Sequence, residues 1–342
     1  MAIKSDNYYD ERKLRMILDA DRECKYRIYM PNEVFSDLVN CEEFKARKAN
    51  ATHIAFAFSY LYLSSYMYRY AKFTYFDKES GENFIDDAMM YMICNTSPCS
   101  RGSTGKSYIT KKDGVLTKLG YLRKENDYPI MFDYWIDDYG NVDYNFVIWH
   151  MYSSQNELAG IFDKPRARKI NFPVRGVFGD EQSERKNEVT GYFYQFENTT
   201  EIDINTFLFC MNHSDIGVVG FYLYSFFKCK NGYFQGEYNS SIEQLVVDTG
   251  IKKTKLSEVI VSLEAHNMIT NSHNTFVPYL SHERKIPANS YKTLDSNQFT
   301  DSRRKVVVRK VMTQAKYEKT GGKYLNVNSS VEEDAELNEH PF

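Results

Sequence analysis

The sequence predicts an α+β fold: two helix-turn-helix units in tandem, each completed by a β-hairpin, and then a polar C-terminal tail. Three observations lead there. A capped pair of helices reads from position 240 to 269, a weaker copy reads from 85 to 119, and a hairpin signal follows each.

Ser240, with Glu243 three residues on, is a capping-box start, and Ile242, Leu245 and Val246 give the helix that follows an apolar face. Gly250 stands where a left-handed residue would turn the chain. In the next helix Leu256, Val259, Ile260 and Leu263 recur at i, i+3, i+4 and i+7 and must be buried together. The opposite side carries Thr254, Lys255, Glu258, Val261 and Ser262, flanked by Ser257 and Lys253, with Lys252 at the helix start. A polar and basic outer face on the second helix is what a DNA-reading helix presents. The runs 268–270 and 275–277 then flank Asn271, Ser272, His273 and Asn274, a hairpin with His273 and Asn274 at its tip. Helix-turn-helix plus hairpin makes a winged helix, a shape that also serves in protein docking.

A chain of 342 residues has room for two domains, and 42% apolar against 26% charged residues is an ordinary soluble composition. Net charge is −3, so nucleic-acid binding must rest on local patches rather than on the total. The 28 Tyr and 23 Phe are many, and the codon usage of an AT-rich genome is the simplest reading of most of them. Six Cys form no C-x-x-C pair and have no His at zinc spacing. No metal, cofactor or disulfide is therefore expected, and a reducing cytoplasm is the expected location. The run 54–68 is the most apolar, but it is too short and too polar to span a bilayer, so no membrane partner is expected.

From the start of the chain, 7–20 reads as a charged helix with Leu14, Ile17 and Leu18 on one side. Residues 26–38 form an extended lead-in with a short turn after Pro31, and 51–73 an apolar helix whose Ile54, Phe58, Leu61 and Met67 enter a core. The second half repeats this order, with 201–212 as lead-in and 215–227 as aromatic helix. Duplicated domains follow: 1–155 as the first, 156–200 as a connecting segment, 201–290 as the second and 291–342 as a flexible tail. The first helix-turn-helix uses 85–93, a turn at 95–102 and a recognition helix at 104–119. Lys106 and Ser107 start that helix at DNA phosphate, and Ser107, Thr110, Lys111 and Lys118 face outward, although Gly105 and Gly114 weaken it. Its hairpin joins 130–135 to 142–149 through 137–141, an acidic tip suited to protein rather than phosphate. In the tail, Arg303, Arg304 and Lys305 belong to a basic arm for DNA, followed by an acidic run at 331–338.

Catalysis finds no support. Gly102 to Ser107 imitates the end of a phosphate-binding loop, but Ser100 occupies the place of its first glycine and no βαβ alternation would hold it. No H-x-H pair serves a metal-dependent nicking enzyme, and no nucleophile and base are legible as partners. The chain is expected not to be an enzyme.

Two aromatic-rich winged helices, carried by SSIEQLVVDTGIKKTKLSEVIVSLEAHNMI at 240–269 and KSYITKKDGVLTKLGYL at 106–122, resemble the initiator and replisome-organiser proteins of Gram-positive plasmids and phages. That resemblance implies that the second winged helix reads repeats at a replication origin, while the first helps dimerise or contacts a neighbouring site. Double-stranded DNA is then the main partner, with a second copy of the chain and host replication proteins as further ones. A transcriptional regulator built on the same helices and a protein-binding adaptor are the alternatives.

Overall fold

Asp10 caps α1 (Glu11–Leu18) by accepting the Lys13 N–H at 2.7 Å, and Leu14, Ile17 and Leu18 turn inward as their spacing predicts. This computed structural model describes residues 8–23, 25–46, 50–99, 105–136, 142–149, 168–176, 198–272, 288–306 and 313–319. Small antiparallel sheets stand among helices in an α+β arrangement, and the chain divides into two compact units, 1–222 and 223–342.

The first unit continues with β1 (Arg27–Pro31), α2 (Glu33–Asn40), α3 (Glu42–Lys45), α4 (Asn50–Arg69), β2 (Thr74–Asp77), β3 (Gly81–Phe84) and α5 (Asp87–Ile93). Two single turns follow, α6 (Ser107–Thr110) and α7 (Val115–Lys118), then β4 (Leu122–Glu125), β5 (Pro129–Ile136), β6 (Val142–Ile148) and β7 (Ile170–Pro173). β8 (Thr199–Asp203), α8 (Ile204–Asn212) and α9 (Gly217–Tyr233) come next, and the division between units falls inside α9.

The two repeated lead-ins pair with each other. β1 and β8 run antiparallel with Arg27 opposite Asp203, Tyr29 opposite Glu201 and Pro31 opposite Thr199. Alternation buries Ile28, Met30, Thr200 and Ile202 on one face. On the other, Tyr29 Oη donates to Glu201 at 2.7 Å and Arg27 meets the same carboxylate at 2.7 Å. Aromatic side chains of α4, α8 and α9 fill the core beside this pair. Tyr62 stacks on Phe207 at 5.3 Å and donates to the Ile202 carbonyl at 3.2 Å, and Phe58 meets Phe221 and Tyr222 at 5.7 and 5.6 Å. Much of the aromatic content is therefore core, and α4 is buried nearly all round rather than on the one face expected. The second lead-in packs in the first unit because its strand has its partner there.

Further along, β4 pairs with β7, Leu122 opposite Pro173, so the expected connecting segment contains a buried strand. Tyr60 and Asn171 both donate to Asp87, at 2.7 and 2.8 Å, and Lys124 reaches the same carboxylate at 3.1 Å. That network ties α4, α5, β4 and β7 together. β5 and β6 form the expected hairpin, Phe132 opposite Phe146 and Tyr134 opposite Tyr144, while its tip at 137–141 lies outside the described residues. The recognition helix expected at 104–119 is broken between α6 and α7. A Cβ on Gly114 would lie 2.6 Å from the Tyr108 carbonyl oxygen and 2.8 Å from that of Lys111, a close backbone approach that only glycine permits.

The second unit holds the rest of α9, β9 (Tyr238–Ser240), α10 (Ile242–Thr249), α11 (Lys253–Ala265), β10 (Ile269–Ser272), β11 (Asn289–Thr293) and the short α12 (Gln314–Lys319). β11 is the middle strand, with Thr293 opposite Ile269 of β10 and Tyr291 opposite Tyr238 of β9. The strand paired with β10 is thus 289–293. The expected partner 275–277 lies outside the described residues, with His273 and Asn274. The expected tail start at 291 falls inside β11, because Tyr291 is fully buried and stacks on Phe227 at 4.7 Å. The acidic run 331–338 is also outside the described residues.

Burial keeps the core phenols neutral. It pushes Tyr29 and Tyr91 up to about 12 and drives Tyr60, beside Asp87, well above the ordinary phenol range. An unfolded chain ionises its tyrosines near the ordinary phenol value of 10.0, whereas these stay protonated in the fold. Stability present below that pH is therefore lost as pH rises toward the folded values, more for fully buried Tyr60 than for part-exposed Tyr29. Phenolate absorbance should appear together with loss of helical circular dichroism as pH climbs above 10. Complete phenolate formation in an intact fold would contradict this packing.

Candidate nucleic-acid interface

Ser241, one residue later than the sequence suggests, caps α10 by accepting the Gln244 N–H at 3.1 Å, while Ser240 pairs in β9. Gly250 takes φ 68°, the left-handed turn its position predicts. Buried Thr249 stiffens that turn, donating to the Leu245 carbonyl at 2.6 Å and accepting the Ile251 N–H at 3.3 Å. α11 departs directly from it. Leu256, Val259, Ile260 and Leu263 are all buried, which fixes the rotation of the helix about its axis. Lys252, Lys253, Thr254, Lys255, Ser257, Glu258 and Val261 are consequently exposed together.

Charge on this surface is mixed but weakly bound to itself. Lys253 meets Glu243 of α10 at 2.8 Å, and Lys255 lies 3.6 Å from Glu258, one helical turn on. All four side chains are exposed, so each pair is worth about 0–1 kcal/mol and yields to a phosphate at small cost. Lys252 supplies no side-chain cap, and the N–H groups of the first turn add their partial positive charge to three ammonium groups. Ser262 departs from expectation. It is 5% exposed, since it sits on the flank of the helix beside Leu263, where the last turn is covered.

The first unit does not assemble the stripe expected of it. Thr110 is buried, its hydroxyl bonded to Tyr91 Oη at 2.9 Å, because α6 lasts one turn and its Ile109 and Thr110 enter the core. Lys106 is drawn inward over the buried Phe56 ring at 5.4 Å, and desolvation lowers its ammonium below the ordinary lysine range. Lys118 is exposed but paired with Glu43 at 2.8 Å, a hydrogen bond that holds the Glu43 carboxyl down to about 2. Ser107 and Lys111 are exposed at opposite ends of α6. A broken helix cannot line these up along one groove.

Arg303, Arg304 and Lys305 are exposed, as an arm would be, yet the Arg304 N–H bonds the Ala265 carbonyl at 2.7 Å at the end of α11. No side-chain pattern announces a bond between two backbone groups, so sequence reading misses this attachment. Val247, on α10, is also exposed and lies outside the apolar stripe that the periodicity predicts.

No family model matches the chain, and no curated protein or solved structure matches it. Among the described residues no helix is long and apolar enough to cross a membrane, and no cluster of three His, Cys, Asp or Glu could hold a metal ion.

Thr110→Val should remove the hydroxyl from Tyr91 and lower stability by about 1–2 kcal/mol in urea unfolding, as expected of a core group rather than one at a candidate interface. A selective loss of DNA binding with stability intact would return Thr110 to the interface.

Proposed function

We propose that the second unit is a winged helix that binds double-stranded DNA sequence-specifically through α11, and that the protein initiates replication of a plasmid or phage by binding origin repeats. One observation carries the DNA reading: the buried stripe of α11 leaves Lys252, Lys253, Thr254, Lys255, Ser257, Glu258 and Val261 on one exposed surface. Strand order supports the winged helix. A helix, strand, helix, helix, strand, strand sequence with the last strand in the middle of the sheet is the order a winged helix uses. Replication rests on the resemblance described above, as do a second copy of the chain and host replication proteins as partners.

Each residue has a chemical role in this reading. Lys253 and Lys255 meet phosphate or guanine, and Thr254 and Ser257 bond base edges or phosphate. Val261, 42% exposed on an otherwise polar face, suits a thymine methyl, and Glu258 accepts from a cytosine amine. Lys255→Ala should weaken binding to every sequence and flatten the log–log salt dependence by about 0.9, one phosphate's worth. Glu258→Ala should relax sequence choice at one position of a site selected from random duplexes. If neither variant alters binding to the selected site, the groove assignment is wrong. A regulator of transcription would use the same helix, so the reading frame and its flanking DNA should be placed on a plasmid lacking an origin. Replication of that plasmid is the expected result, and failure to replicate despite site-specific binding would favour the regulator.

A further inference from the structure

The outward side of α11 does not stay open along its whole length. Ala265 follows Val261 by four residues and Glu258 by seven, so it shares their side of the helix, yet it is 1% exposed. What arrives at that end is the chain after β11. Backbone N–H groups of Leu294, Thr300 and Arg304 bond the carbonyls of Met268, His266 and Ala265 at 2.9, 2.9 and 2.7 Å. Asn267 Nδ2 donates to the Gln298 carbonyl at 2.7 Å, and His266 Nδ1 to that of Thr300 at 2.8 Å. Phe299 packs edge-on against the Tyr224 ring at 5.7 Å, and Tyr224 Oη donates to the Leu294 carbonyl at 2.7 Å. Carbonyls at the end of a helix lack partners within it, and this segment supplies partners for two, those of Ala265 and of the cap residue His266.

The last anchor falls among three exposed cations, Arg303, Arg304 and Lys305. We propose that residues 294–305 are a fixed strap, setting Arg303, Arg304 and Lys305 against phosphates of one DNA strand while Lys252, Lys253 and Lys255, at the opposite end of α11, meet those of the other. This rests on α11 as the groove-facing helix. The dimensions fit. A helix of 13 residues is about 20 Å long, against a major groove about 12 Å wide, so cations at its two ends reach both walls. Asp295 and Asp301 also lie on the strap and are exposed, so the strap carries three cations against two carboxylates, with the cations together at its end. A strap differs from a flexible arm in that its cations are already ordered, so their contribution depends on where they are held.

The test measures binding of the full chain to mixed-sequence duplex DNA across a salt titration. Replacing Arg303, Arg304 and Lys305 together by Ala should flatten the log–log slope by about 1.8–2.7, two to three phosphates at about 0.9 each. A second variant inserts about eight Gly and Ser residues between Ser302 and Arg303, keeping every charge but freeing its position. The strap requires the same flattening from this insertion. An unchanged slope in the insertion variant overturns the fixed geometry in favour of an arm. An unchanged slope in the triple variant, with Lys253→Ala/Lys255→Ala still flattening it, overturns the strap and spares the reading of α11. If Lys253→Ala/Lys255→Ala also leaves the slope unchanged, both fall together.

Discussion

Burial of Leu256, Val259, Ile260 and Leu263 is the constraint on which the candidate interface depends. A helix that commits these four side chains to a core has no rotational freedom left, and every other position on it is assigned to core, flank or solvent. Lys252, Lys253, Lys255, Thr254 and Ser257 are exposed as a consequence rather than by separate arrangement. The left-handed Gly250 and the buried Thr249 hydroxyl then hold the start of α11 against α10, which turns an exposed surface into a rigid one. Rigidity matters because hydrogen bonds to base edges tolerate little displacement.

Aromatic packing does for the first unit what that stripe does for α11. Tyr62, Phe58, Phe207, Phe221 and Tyr222 come from helices far apart in sequence and meet beside the β1–β8 pair. Two short strands alone would be marginal, and a face of buried rings supplies the area that stabilises them. Tyr62 and Tyr66 bury their hydroxyls on the carbonyls of Ile202 and Leu18, which offsets the cost of taking these phenols out of water.

Local signals were legible and non-local ones were not. Periodicity exposed the inner side of α11 because that helix has core on one side and solvent on the other. α4, enclosed nearly all round, shows its apolarity but no single face. The β1–β8 pairing joins residues 27–31 to 199–203, and β10 pairs with 289–293, long-range choices set by packing that no short motif encodes. At the break before α7 the carbonyls of Tyr108 and Lys111 leave no room for a Cβ on Gly114, a close approach hidden behind helical-looking composition. Thr110 and Ser262 were placed outward by helical arithmetic. Thr110 instead enters the core, bonded to Tyr91, and Ser262 is buried on the flank beside Leu263, which a single helical wheel does not represent.

Acylation of lysines in the unaltered protein, read by mass spectrometry with and without a duplex selected from random sequence, tests the role of α11 most directly. Lys252, Lys253 and Lys255 should lose reactivity when the duplex binds, while Lys45 and Lys78, exposed in the first unit, keep theirs. A duplex that binds and leaves Lys252, Lys253 and Lys255 as reactive as before would contradict the assignment of that surface to DNA.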